Sequence, residues 1–113
     1  MPALNAKAIM RHFETVPEWR QRAKTMLRTF KFEGFLNSIA FVQRIARKAQ
    51  TLNHHPDIDI RFDEVTLILT THDEGGLTAK DFTLARQCDD VFARFFGVMS
   101  HRVARRQSNK SEH

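Results

Sequence analysis

Residues 50–69, "QTLNHHPDIDIRFDEVTLIL", contain the change of period that decides the fold. Upstream of Asn53, the residues Phe35, Ile39, Val42, Ala46 and Ala49 recur at alternating steps of four and three, as on one face of a helix. Downstream of Pro56 the step falls to two. Ile58, Ile60 and Phe62 alternate with Asp59 and Arg61, and Val65, Leu67 and Leu69 alternate with Thr66 and Thr70. The helix is expected to end near Leu52, with Asn53 suited to a left-handed C-terminal residue. Pro56 forces His55 away from helical backbone. Taking Asp63–Glu64 as a two-residue turn pairs Ile60 with Leu67 and Ile58 with Leu69, so both apolar sets share one face.

Working outward, "WRQRAKTMLRTFKF" (19–32) reads as two extended pieces around Ala23–Lys24, with Phe30 and Phe32 on one face and Thr29 and Lys31 on the other. Ahead of them Asn5 caps a first helix through about Glu14, and Pro17 ends it. After a Gly75–Gly76 bend, Thr78 caps a last helix with Asp81 at its third position, the arrangement of a capping box. Its expected buried stripe is Ala85, Cys88, Phe92, Phe95 and Met99. The order is α-β-β-α-β-β-α. Each strand pair lacks an intervening helix and forms a hairpin, so the fold class is α+β: a four-stranded antiparallel sheet with three helices packed on one face. The opposite face is left bare, which oligomerisation commonly covers.

The 113 residues fit one domain, taken as 1–100, followed by a basic tail over 101–113 expected to be disordered. No stretch approaches the roughly 20 apolar residues of a membrane helix. The start of the chain has no apolar signal region, and Cys88 is single, so the expected location is cytoplasmic. The net charge of +5 raises nucleic acid as a partner. The cations are dispersed, however. Arg20, Arg22, Lys24, Arg28 and Lys31 interleave along strands, Arg44, Arg47 and Lys48 occupy the polar side of a helix, and Arg102, Arg105, Arg106 and Lys110 belong to the tail. No nucleic-acid-binding signature accompanies them, and such a partner is not expected.

If strands three and four pair, the start of one and the end of the other are neighbours. His54 and His55, leaving the central helix, then converge with His72 in "TTHDEGG" at one edge of the sheet. Three readings compete. A metal site has little support, because adjacent histidines rarely aim both rings at one ion and no cysteine assists. Asn-His-His-Pro also serves as a plain helix stop. A general acid–base site suits the chemistry, since imidazoles donate and accept protons near neutral pH. His12, His101 and His113 lie outside the cluster.

The stretch "NHHPDIDIRF…TTHDEGGLTAKD" resembles the signature of the pterin-4a-carbinolamine dehydratases. The family pattern falls on His54, His55, Pro56, Phe62, His72 and Asp81 with every interval kept, and the resemblance runs ungapped from "FKFEGFLNSIAFVQRIARKAQTL" to about Phe92. It implies removal of water from 4a-hydroxytetrahydropterin, the product of aromatic amino acid hydroxylases, to give quinonoid dihydropterin without metal or organic cofactor. By resemblance His54 and His72 are the acid–base pair and His55 binds and orients the pterin, with Pro56, Gln50, Thr71, Asp73 and Asp81 completing the substrate-binding set. A homodimer or homotetramer and a functional link to a hydroxylase are implied as well. Two positions depart from the pattern. Gln50 stands where an ionisable residue, commonly glutamate, is expected, and Ile58 where animal enzymes carry tryptophan. Relatives of this fold act as a dimerisation cofactor and as a Rubisco assembly factor, so the alternative expectation is a binding module that has lost turnover.

Overall fold

A computed structural model of the chain describes residues 2–97. Its elements are α1 (Ala6–Phe13), β1 (Arg20–Arg22), β2 (Thr25–Lys31), α2 (Phe35–Leu52), β3 (Asp57–Arg61), β4 (Glu64–Leu69) and α3 (Ala79–Phe92), with a 3₁₀ turn at His72–Glu74 and a π-helical stretch at Ala93–Gly97. This is the expected α+β arrangement. Asn5 caps α1, its side chain accepting from the Ala8 N–H at 2.8 Å. The basic tail and Met99 lie outside the described residues.

The sheet is antiparallel throughout, in the order β1-β2-β4-β3, so β2 and β4 are central and the two hairpins meet along them. Met26, Arg28 and Phe30 pair with Leu69, Leu67 and Val65, which places all six on the helix-covered side. The other side mixes the apolar pair Leu27 and Ile68 with polar groups: Thr29 and Thr66 share a hydroxyl hydrogen bond of 2.7 Å, and Arg61 pairs with Asp59 at 3.3 Å.

The β3–β4 turn falls on Phe62–Asp63 rather than Asp63–Glu64, and the partners are Ile58 with Leu67 and Ile60 with Val65. Glu64 is held inside the ladder opposite both Lys31 and Arg61, and the Asp63 carbonyl accepts the Phe32 N–H at 2.8 Å. Those bonds pull the chain into strand one residue early. A slip of two positions returns each side chain to its expected face, so the apolar alternation survives the correction. Phe62 adopts a φ of +54°, and Ala23 in the other hairpin a φ of +53°.

The core side of α2 also differs from expectation. Ser38, Phe41, Ile45 and Ala49 are buried, whereas Phe35 and Ala46 are exposed and Ile39 and Val42 half-buried. Two apolar stripes run side by side on this helix, about a quarter-turn apart at 100° per residue. The inner one wins because Phe41 packs among the sheet aromatics, with ring centroids 4.7 Å from Phe30 and 5.0 Å from Phe32. In α3, Ala85 and Cys88 are buried as expected, joined by Phe82, Leu84 and Val91. The stripe then shifts: Phe95 is exposed and Phe96 buried, because the wider winding of Ala93–Gly97 advances the register by one residue.

Arg28 enters the core side of the sheet. Its guanidinium lies 4.2 Å from the Phe30 ring centroid and 5.2 Å from that of Phe92, and donates to Asp89 at 2.8 Å. The Trp19 indole N–H donates to the same carboxylate oxygen at 2.7 Å. Burial raises the Asp89 pKa, opposed by these two donors. Among the described residues no helix is long and apolar enough to cross a membrane.

Candidate active site

α2 ends in a paired C-terminal motif: the Asn53 N–H bonds the Gln50 carbonyl at 3.2 Å and the His54 N–H bonds that of Ala49 at 3.0 Å. Asn53 takes the left-handed conformation, φ 53° and ψ 46°. This motif fixes the backbone of His54, and Pro56 then turns the chain into β3. His72 reaches the same region in the 3₁₀ turn after β4, which Gly75 closes at a φ of +73° while Thr71 bridges Gly76. The three histidines line one cleft of about 320 Å³ with Asn53, Thr71 and Asp73. The convergence expected from the hairpin is present.

Their environments differ sharply. His54 is buried at 9% exposure, and its Nε2–H donates to Asp81 Oδ1 at 2.5 Å. Asp81 is fully buried. Its Oδ2 accepts from the Thr71 hydroxyl at 2.7 Å and from the Thr78 N–H at 2.9 Å. One carboxylate therefore closes the capping box of α3 and holds the His54 ring. The two explanations open for Asp81 in the sequence, helix cap and site residue, are both satisfied by its two oxygens.

His55 is exposed, and its Nε2–H donates to Gln50 Oε1 at 2.9 Å across the end of α2. His72 is exposed and makes no side-chain hydrogen bond with a described residue. Pro56 and Ile58 do not line the cleft: Pro56 redirects the chain, and Ile58 lies on the helix side of the edge strand. Asp73 lines the cleft from the 3₁₀ turn. Phe62 sits in the β3–β4 turn, away from the histidines.

Sequence reasoning missed Lys80 and Thr70, which also line the cleft. Thr70 is pinned by its hydroxyl to the Lys24 carbonyl at 2.6 Å. Lys80 had a readable signal, because a cation in the first turn of a helix opposes the helix dipole and calls for another reason to be there. No group of three or more His, Cys, Asp or Glu side chains suited to a metal ion occurs among the described residues.

Residues 2–91 match the family model described as pterin 4 alpha carbinolamine dehydratase. This chain belongs to that family. A relative from Chloroflexus aurantiacus, named "Putative pterin-4-alpha-carbinolamine dehydratase", is 45% identical over 91 residues, covering 80% of this chain and 98% of that protein. One of the same name from Acidobacterium capsulatum is 46% identical over 85 residues, covering 75% and 92%. Among solved structures, a transcriptional coactivator/pterin dehydratase from Brucella melitensis superposes with a TM-score of 0.76 at 26% identity, covering 79% of this chain and 97% of that one. A pterin dehydratase-like protein identified as a RuBisCO assembly factor in the alpha-carboxysome reaches a TM-score of 0.54 at 18% identity over 65% of this chain and 84% of that one, a likeness of fold alone.

Proposed function

We propose that the histidine cleft dehydrates 4a-hydroxytetrahydropterin to quinonoid dihydropterin. The observation that carries this reading is the pairing of a buried, carboxylate-held His54 with an unengaged His72 in one cleft of a pterin dehydratase family member. In the reaction the C4a–O bond breaks, the N5 lone pair forms the C4a=N5 bond, and the N5 proton passes to a base. A second group gives its proton to the departing hydroxyl, which leaves as water. Proton transfer by positioned side chains supplies about 10²–10⁴ in rate.

Asp81 takes a hydrogen bond from Nε2 of His54, so a neutral His54 carries its lone pair on Nδ1. That tautomer can accept a proton, which supports His54 as the base and His72, with nothing competing for its ring, as the acid. His55, bonded to Gln50, orients the pterin, and Thr71 and Asp73 shape its seat. No cofactor enters the step. The second reading, a pterin-binding module without turnover, is favoured by one observation: the neutral amide of Gln50 on His55. On either reading a second copy covers β3, an edge strand exposed along its whole length.

Freshly made 4a-hydroxytetrahydropterin, mixed with the purified protein in the presence of a chelator, tests the proposal. Dehydration well above the spontaneous rate is expected. Turnover that vanishes in chelator and returns with zinc would overturn the metal-free route.

A further inference from the structure

On the side of α2 facing α3, Arg44, Arg47 and Lys48 form one wall of a groove of about 340 Å³, and Asp90, Arg94 and Phe95 form the other. Four cations face one carboxylate. Arg94 engages Asp90 at 3.6 Å, while Arg44, Arg47 and Lys48 have no ion pair with any described residue. Like charges spaced three and four apart on a helix repel by a few tenths of a kcal/mol per pair, so their clustering works against α2. The Arg44 guanidinium lies 3.7 Å from the centroid of the Phe95 ring. Such stacking holds the guanidinium plane while leaving its in-plane N–H donors available to an oxygen acceptor.

We infer that this groove binds a compact phosphate-bearing small molecule, with two or three phosphates linked in a row. Arg44 to Lys48 spans about 6 Å at 1.5 Å per residue. Nucleic acid fits less well, because its evenly spaced phosphates call for cations continuing along the face. One turn back on the same face stand Asn37 and Ala40. The positive stripe is therefore one turn long, and Arg94 closes it from across the groove. The inference does not depend on the dehydratase chemistry, since the histidines line a separate cleft.

Calorimetric titration of the full chain with sodium triphosphate, orthophosphate and a single-stranded 20-nucleotide DNA tests it. Saturable one-to-one binding of triphosphate is expected, at least about tenfold tighter than orthophosphate, as charge-assisted contacts accumulate. Arg47→Gln/Lys48→Gln should weaken it at least about tenfold, leaving the circular dichroism spectrum and pterin turnover unchanged. Arg44→Lys, which keeps the charge but loses the planar stack, should also weaken binding. Arg105→Gln/Arg106→Gln, in the basic tail, should bind as the parent does. No saturable triphosphate binding, binding lost with the tail variant instead of the groove variant, or DNA preferred over triphosphate would each overturn the inference.

Discussion

His54 Nε2 and Asp81 Oδ1 lie 2.5 Å apart and join the loop after α2 to the first turn of α3, 27 residues away in sequence. The carboxylate is fully buried and its other oxygen holds Thr71 and the α3 cap. Asp81→Asn preserves the shape but replaces one acceptor by an NH₂ group, which must face either the His54 donor or the cap donors. Turnover should fall by roughly 10² or more, the span of a disturbed acid–base group, with a much smaller change in KM. A purely structural Asp81 would instead lower the melting temperature by the equivalent of about 1 kcal/mol for a lost cap and leave kcat per folded molecule intact.

His72→Ala offers the cleaner test of catalysis, because this exposed side chain bonds no described residue and its removal costs no packing. A loss of roughly 10²–10⁴ in kcat with unchanged thermal melting is expected. His54→Ala should lose as much activity and also stability, since it leaves a buried carboxylate short of a donor at about 1–3 kcal/mol. His55→Ala should act mainly on KM. Near-normal kcat in both His54 and His72 variants would remove them from the mechanism.

The fold and the histidine cluster were legible because each rests on a local signal with a physical cause. The period change at Asn53–Pro56, the Thr78–Asp81 box and the alternation of β4 all survive in the structure. What the sequence left hidden depends on partners distant along the chain. The two-residue slip of β3 follows from β2 holding Asp63 and Glu64. The rotation of α2 follows from Phe41 meeting Phe30 and Phe32, a choice between two apolar stripes of equal period. Arg28 read as a solvated strand cation, yet it packs against the adjacent rings of Phe30 and Phe92 and pairs with Asp89 across the core. Lys80 and Thr70 became cleft residues only through the 3₁₀ turn that folds His72 back.

Cys88 should be inert in the folded state. It is completely buried, and desolvation, with a smaller contribution from Asp89, pushes its thiol pKa well above the ordinary 9.0. A thiol-reactive aromatic disulfide at pH 8 should label it only as fast as the protein unfolds, and at once in denaturant. The folded thiol keeps its proton to higher pH than the unfolded one. Its contribution is therefore constant below about pH 9 and falls as pH rises beyond, by at most about 1.4 kcal/mol per unit. Cys88→Ala should flatten that alkaline decline, as followed by denaturant melts between pH 8 and 10.

Self-association should occur through the β3 side. Ile58 and Ile60 face the helix layer but remain 38% and 37% exposed, and the half-covered α2 stripe of Phe35, Ile39, Val42 and Ala46 carries further apolar surface. An open, apolar edge strand pairs readily with another copy. Sedimentation at micromolar concentration is expected to show a dimer or larger. Ile58→Lys/Ile60→Lys should shift it to monomer without unfolding it, and a parent protein that sediments as monomer would dismiss this interface.

Gln50 is the residue at which the enzyme and binding-module readings expect different outcomes. Its Oε1 accepts the His55 Nε2–H at 2.9 Å from the last turn of α2, so the position reaches the His55 ring directly. The amide supplies a neutral acceptor, whereas a glutamate would add a charge-assisted bond to a cationic ring. In an active dehydratase Gln50→Glu should raise turnover several-fold and carry the alkaline limb of the rate profile to higher pH, because a carboxylate beside an imidazole favours its charged form. Gln50→Ala, which frees the ring, should lower turnover and raise KM. The binding-module reading expects no dehydration by any of the three proteins, with pterin affinity indifferent to the residue at 50. Stopped-flow measurement of the series across pH 5–9, with His72→Ala as the blank, decides between the two.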